Sequence, residues 1–432
     1  MKKVLVIVIS LLTFTMMKAQ EGLVLSLDEA QEYAVKQNRS MQNASLEVQR
    51  AHAQRWQTIA AMLPQADASF GRTMMYDSTW NEKTISLGMP GVKPMSMSPY
   101  QFTATASIGI NGQAIVGALL QTLAIEMQDI TRKQTETDLR GKVMTSYMSV
   151  LVMEDVIDLL DSTLANMQKL ADQTKEMVAV GAAESTQYDQ MLVRVNAMKN
   201  NVSSNKRNVE LAYNALRVLL GVEADTELSL TTTIDDVATG DRVLNLLSET
   251  FNIHNNYNYQ LLEKNVDIAK KNIHMAGWAY GPTLSGFYRY TGQYGKDVFT
   301  MMSSPHTVGF SVSMPIWSSG QRASGVHDKR IALHEAENTL AETTDNLSIQ
   351  DKQLRYNMTN AYEIFLNEKE NIEVSARVMS NVMNKYTWGA ASLLELTNAS
   401  NDVITAQQSY VQATLTLVNA YVELEKFLHN EK

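Results

Sequence analysis

Phe102-Thr-Ala-Thr-Ala-Ser-Ile-Gly-Ile-Asn111 puts an apolar side chain at every second position: Phe102, Ala104, Ala106, Ile108 and Ile110 alternate with Thr103, Thr105, Ser107, Gly109 and Asn111. The same alternation returns between Thr307 and Ile316, where Val308, Phe310, Val312, Met314 and Ile316 interleave with Thr307, Gly309, Ser311 and Ser313. Successive side chains of a strand point to opposite faces, so nine or ten residues of period two specify a strand with one apolar and one polar face. Such strands suit a membrane barrel, and they also suit a half-buried sheet in a soluble domain. Residues 283–292 add Tyr288 and Tyr290, side chains suited to the interfacial aromatic girdle of a barrel.

Two hairpins supply four strands, and four strands cannot close on themselves. A sheet that spans a bilayer must close, because an open edge leaves backbone groups unpaired in hydrocarbon. Single-chain barrels begin at about eight strands. If these strands cross a membrane, several chains contribute to one barrel, and the sequence alone leaves two, three and four copies open.

Around the strands lie very long helical stretches. Residues 115–180 contain no proline, and about 65 residues at 1.5 Å each make a helix of roughly 100 Å. Residues 322–388 are similar. Met144, Tyr147, Met148, Leu151, Val152, Ile157, Leu159 and Leu160 recur at helical spacing, with Asn, Gln, Thr and Ser filling many other positions. Lengths of this kind call for coiled-coil packing, with one side against neighbours and another against water.

The chain is also written twice. Gly181-Ala182-Ala183 returns as Gly389-Ala390-Ala391, Ala212-Tyr213 as Ala420-Tyr421 and Leu216 as Leu424, all at one offset. Asn38, Val48, Ala51 and Pro64 match Asn256, Val266, Ala269 and Pro282 at a second offset, which places a longer insertion in the first copy between residues 73 and 103. The organisation expected is repeat 1 over 20–222, a polar linker over 223–241 and repeat 2 over 242–432. Each repeat reads as helix, β-hairpin, long helix, glycine-containing break and shorter helix. Ser26 and Glu29 form a capping box that starts the first helix, which is expected to run to about Met62, with Pro64 closing it.

Lys2 and Lys3, the apolar run Val4 to Met17 and Lys18-Ala19-Gln20 read as a signal peptide over 1–19, too short to span a bilayer comfortably. Its removal deletes three of 37 basic side chains and leaves 34 against 46 acidic ones, a net charge of −12. That balance argues against nucleic acid as a partner, since phosphate neutralisation needs basic surface. There are no cysteines, which excludes disulfides, zinc–thiolate sites and a cysteine nucleophile. The histidines make no HExxH or comparable ligand spacing, and no phosphate-binding glycine loop or GxSxG occurs. The chain therefore reads as no enzyme and as having no cofactor and no metal site. Residues 77–99 hold Gly88, Pro90, Gly91, Pro94 and Pro99 with Met89, Met95 and Met97, and read as an extracellular loop. Thioethers suit copper(I), but methionine occurs 25 times in this chain and marks no site here.

Taken together, Leu25-Ser-Leu-Asp-Glu-Ala-Gln-Glu-Tyr-Ala-Val-Lys-Gln-Asn38, Leu63-Pro64, Gly281-Pro282, Val312-Ser-Met-Pro315-Ile-Trp-Ser-Ser-Gly320-Gln-Arg322 and Tyr386-Thr-Trp-Gly389-Ala-Ala-Ser-Leu-Leu-Glu-Leu396 resemble the outer-membrane efflux protein family typified by TolC. The resemblance implies a mainly α fold with a transmembrane β-barrel contribution. It implies a homotrimer, four strands per chain joining one 12-stranded barrel above a long α-helical tunnel, in contact with outer-membrane lipid. It further implies an exit duct for a tripartite pump or type I secretion system, docked to a periplasmic adaptor (membrane fusion) protein and an inner-membrane pump. The acidic gate positions of the family fall on Glu395 and Asn398, and its gate tyrosine on Tyr386, while its partner arginine is replaced by Ala391. Thr186, Gln187 and Asp189 occupy the partner turn of the first copy, and Gly181 and Gly389 are the expected adaptor-docking turns. An exported coiled-coil scaffold without a pore is the competing reading.

Overall fold

A computed structural model describes residues 23–91, 93–97, 100–234, 240–294 and 304–428. The expected signal peptide 1–19, Pro99 of the loop and part of the linker lie outside the described residues. The chain divides into two compact units: residues up to Ser45 with Thr131–Gln260 and Thr343–Lys432, and Leu46–Ile130 with Leu261–Glu342.

The first unit begins with β1 (Leu23–Leu25) and α1 (Leu27–Gln37). Ser26 caps α1 as expected: its Oγ accepts from the Glu29 N–H, and its own N–H donates to Glu29 Oε2 at 2.8 Å. That backbone donor holds the Glu29 carboxyl below its ordinary pKa. The single helix expected over 26–62 is in fact two. Asn38 turns extended at φ −65° and ψ 133°, separating α1 from α2 (Arg39–Ala60). Its side chain explains the break, since Nδ2 donates to the Leu219 carbonyl at 2.8 Å while Oδ1 accepts from the Ser40 N–H and caps α2. Asn256 does the same for a later helix, accepting from the Asn258 and Tyr259 N–H groups.

The linker also carries structure that composition did not reveal. Within it, β6 (Leu228–Leu230) pairs in parallel with β1. Tyr147 secures this pair: fully buried, its hydroxyl donates to the Leu25 carbonyl at 2.9 Å and accepts from the N–H groups of Thr231 and Thr232. After the linker comes α5 (Gly240–Ser248). Arg355 satisfies the carbonyls of Leu247 and Glu249 at the C-terminal end of α5.

The long helices are α3 (Gly112–Ala179) and α7 (Gln321–Thr387), each followed by one of 36 residues, α4 (Ser185–Leu220) and α8 (Leu393–Leu428). The boundaries of α3 and α7 fall within three residues of the expected 115–180 and 322–388. In the first unit they enclose three apolar clusters. One surrounds Tyr147, Met148, Leu216 and Val422; a second surrounds Leu160, Met191, Leu396 and Val403; a third surrounds Met358, Phe365, Leu424 and Phe427. Tyr421, half buried beside Glu425, has its hydroxyl pKa pushed up to about 12, chiefly by burial.

In the second unit, β2 (Gln65–Arg72), β5 (Tyr100–Asn111), β7 (Thr283–Tyr294) and β8 (His306–Ser313) form one sheet in the order β2-β5-β7-β8, antiparallel throughout. The last strand stops at Ser313, short of the expected 316, because Pro315 has no N–H to continue a ladder. Between β2 and β5, β3 (Thr84–Ile85) pairs with β4 (Met95–Ser96). The last two strands, β7 and β8, are preceded by α6 (Tyr257–Gly277), which enters this unit at Leu261. No helix among the described residues is long and apolar enough to cross a membrane.

Candidate functional site

The register aligns the sheet's two faces across all four strands. Ala68, Ala104 and Tyr290 lie in one row with His306; Ala66, Ala106, Tyr288 and Val308 form the next; Ile110, Leu284 and Val312 lie further along the same face. On the other face the rows are mostly polar, as in Asp67, Thr105, Arg289 and Thr307, or Ser285 beside Ser311, whose hydroxyls are 2.7 Å apart. Val308 and Phe310 are 77% and 88% exposed, large apolar side chains with little of the chain against them. Burying such a face in hydrocarbon is favourable by roughly 25 cal/mol per Å². Both outer strands, β2 and β8, have one paired side and one open side.

Two helical turns form the candidate gate. At the first, the Gly181 N–H reaches the Val178 carbonyl and the Ala182 N–H reaches that of Met177; at the second, Gly389 reaches Tyr386 and Ala390 reaches Lys385. Gly181 and Gly389 have φ of 76° and 68°, the left-handed conformation that a helix terminus of this kind requires.

The helices that leave these turns start differently. Glu184 precedes α4 without capping any backbone N–H of its first turn, and its carboxylate accepts instead from the Thr186 hydroxyl. Ser392 precedes α8 and forms a full capping box with Glu395: the Ser392 N–H donates to Glu395 Oε2 at 2.7 Å, and Ser392 Oγ accepts from the Glu395 N–H. The carboxylate expected at the gate is thus engaged with its own helix start, although it remains exposed. Asn398, Thr186, Gln187 and Asp189 are exposed as well, and the structure places no direct hydrogen bond among these expected gate residues. Tyr386 is half buried in a crevice of about 420 Å³ with Leu170, Thr174 and Met177. Among the described residues its hydroxyl has no hydrogen-bond partner.

One feature was missed by reading single motifs. Along α8 every exposed position from 395 to 423 is polar: Glu395, Asn398, Asn401 and Asp402 first, then Thr405, Gln408, Gln412, Thr416, Asn419 and Glu423. Their spacing of three and four residues makes one continuous stripe, and nearly everything else on the helix faces the clusters around it. Asp402 lies seven residues beyond Glu395 on this stripe, so a second carboxylate follows two turns later although Asn398 carries none. That spacing was available in the sequence.

Comparison with known proteins agrees with this geometry. Residues 32–222 and 253–429 match the family model described as outer membrane efflux protein. A curated relative, toxin and drug export protein A of Aggregatibacter actinomycetemcomitans, is 22% identical over 67% of this chain, and the match spans 63% of that relative's length. Among solved structures, the chain superposes on CusC with a TM-score of 0.72 at 15% identity, covering 93% of this chain and 91% of the other. VceC of Vibrio cholerae gives 0.68 at 14% identity, covering 93% and 95%, and the MtrE channel of Neisseria gonorrhoeae gives 0.69 at 16%, covering 93% and 88%. The mainly α fold with a β-barrel contribution expected from the sequence is therefore the fold of outer-membrane channels, a class of transport proteins rather than of enzymes. The chain belongs to the outer membrane efflux protein family.

Proposed function

We propose that this chain is the outer-membrane exit duct of a tripartite efflux pump or type I secretion system. In this reading it is a homotrimer whose three four-stranded sheets close into one 12-stranded barrel, with the long helices forming a tunnel in the periplasm. The observation that carries the reading is the two-faced sheet with two open edges. One face is too apolar for water, and both edges need partners that a second copy supplies: β2 and β8 run in opposite directions, so β8 of one chain can pair antiparallel with β2 of the next. The polar stripe of α8 is suited to line the water-filled tunnel.

The two-copy organisation, with repeats 20–222 and 242–432 about the linker 223–241, draws support from the matched caps at Asn38 and Asn256 and the matched turns at Gly181 and Gly389. Those two turns are the docking points for a periplasmic adaptor, which joins the duct to an inner-membrane pump. Glu395, with Asn398 and Asp402 on the same stripe, forms the cation-attracting constriction, since like charges repeated around a symmetry axis favour cations. Tyr386, Thr186, Gln187 and Asp189 hold the tip closed through contacts between neighbouring chains. The Tyr386 hydroxyl, unpartnered among the described residues of one chain, is the donor such a contact needs.

Purified protein in planar bilayers tests this. The expected result is a cation-selective conductance from a heat-sensitive trimer, with selectivity reduced by Glu395→Ala. A water-soluble rod that never conducts would sink the channel and leave the scaffold.

A further inference from the structure

The polar face of the sheet carries two fixed charges, Asp67 on β2 and Arg289 on β7; its other side chains on the four strands are neutral. Both lie in a single row of the register: Asp67 pairs with Thr105, Thr105 with Arg289, and Arg289 with Thr307. Two strand spacings put the two charges about 10 Å apart along the wall. That is too far for an ion pair, and near the Debye length of about 10 Å at 0.1 M salt, so neither charge cancels the other for a solute between them.

Arg289 is also held in place. Phe287 is an aromatic side chain on this otherwise polar face, and its ring lies over Gly309 of the adjacent strand. A Cβ at Gly309 would fall 2.5 Å from a Phe287 ring carbon, so the glycine makes the space that the ring fills. The Arg289 guanidinium stands 5.4 Å from the centre of the same ring, within cation–π range. Ring and glycine together lay the cation along the wall at a defined level.

We propose that Asp67 and Arg289 form a belt of alternating charge inside the barrel, a second selectivity element separate from the helical tip. This rests on the duct reading above. Repeated by the symmetry of a closed barrel, the row sets negative and positive side chains alternately around the lumen at neighbouring heights. The field of such a belt runs across the pore and largely cancels along it. A belt of this kind orients dipolar and zwitterionic solutes, whose two charges meet both side chains, and discriminates weakly between small cations and anions.

The test is the reversal potential across a planar bilayer in a potassium chloride gradient, with parent, Arg289→Gln, Asp67→Asn and the double variant. Arg289→Gln should raise the potassium-to-chloride permeability ratio severalfold over the parent. Asp67→Asn should lower it by a similar factor, and the double variant should return close to the parent value. Both shifts should shrink at 1 M salt, where the Debye length falls to about 3 Å. Heat-sensitive oligomer on gels and unchanged open lifetimes confirm that the variants assemble. Unmoved reversal potentials in both single variants, with normal openings, would overturn the belt and leave the duct standing. No conductance from the parent would overturn the duct and the belt together.

Discussion

The helices α4 and α8 have the same length and follow the same kind of glycine turn, yet they spend their surfaces differently. In α4 the buried positions Met191, Val195, Met198, Val202, Val209, Leu216 and Leu220 advance by three, four or seven residues, a single seam of coiled-coil type. Its opposite side exposes Val193, Leu211 and Val218, the last at 74%. In contrast, α8 sends side chains into all three apolar clusters of its unit and, beyond Leu394 at its start, leaves uncovered only the polar stripe from Glu395 to Glu423. An exposed apolar row asks for a protein neighbour, while an exposed polar row on an otherwise buried helix asks for water. Under the proposed trimer, the difference favours α4 for contact between chains and α8 for the lumen.

The harshest way to break that assignment is to charge the apolar row of α4. The pair Leu211→Glu and Val218→Glu touches no buried position of α4, so a single chain should keep its helicity, read by circular dichroism. Assembly should be lost, because a carboxylate driven into an interface without a partner is costly. An oligomer that survives on native gels at the parent's heat sensitivity would move the chain–chain contact away from α4.

A smaller effect compares two positions on α8 itself. Leu424 is fully buried, so Leu424→Ala should cost about 2–5 kcal/mol in denaturant unfolding, the range for opening a core cavity. Gln412, on the stripe, should tolerate Ala within about 0.5 kcal/mol. Equal costs at the two positions would mean that the stripe is packed against protein rather than wetted.

Much of this architecture could be read from alternation and length. The strands at 102–111 and 283–292, the two long helices and both glycine turns fall where period and proline-free length place them. What could not be read depends on long-range partners. The break at Asn38 exists because its amide finds the Leu219 carbonyl, 181 residues away. The strand in the linker exists because Leu228–Leu230 meets Leu23–Leu25 under the Tyr147 hydroxyl. No local propensity announces either contact. The candidate gate was only half legible: Glu395 is visible as an acidic residue at a helix start, but that is also the position of a capping glutamate, and the sequence Ser392-Leu-Leu-Glu395 carries both meanings.

The weakest perturbation separates those two meanings. Ser392→Ala removes the hydroxyl that accepts from the Glu395 N–H, and should cost about 1 kcal/mol of stability. The Glu395 carboxylate would then lose half of its reciprocal anchor while keeping the Ser392 backbone N–H. If Glu395 acts only as a cap, ion selectivity should stay at the parent value and the loss should appear in unfolding alone. If it also forms a constriction, the loosened carboxylate should move current noise or the potassium-to-chloride permeability ratio by less than the full Glu395→Ala substitution does. The matching change at the other turn, Glu184→Ser, supplies the control. It should add the cap that α4 lacks and stabilise by a few tenths to about 1 kcal/mol without touching selectivity, because Glu184 lies at the start of α4 and outside the α8 stripe proposed to line the lumen.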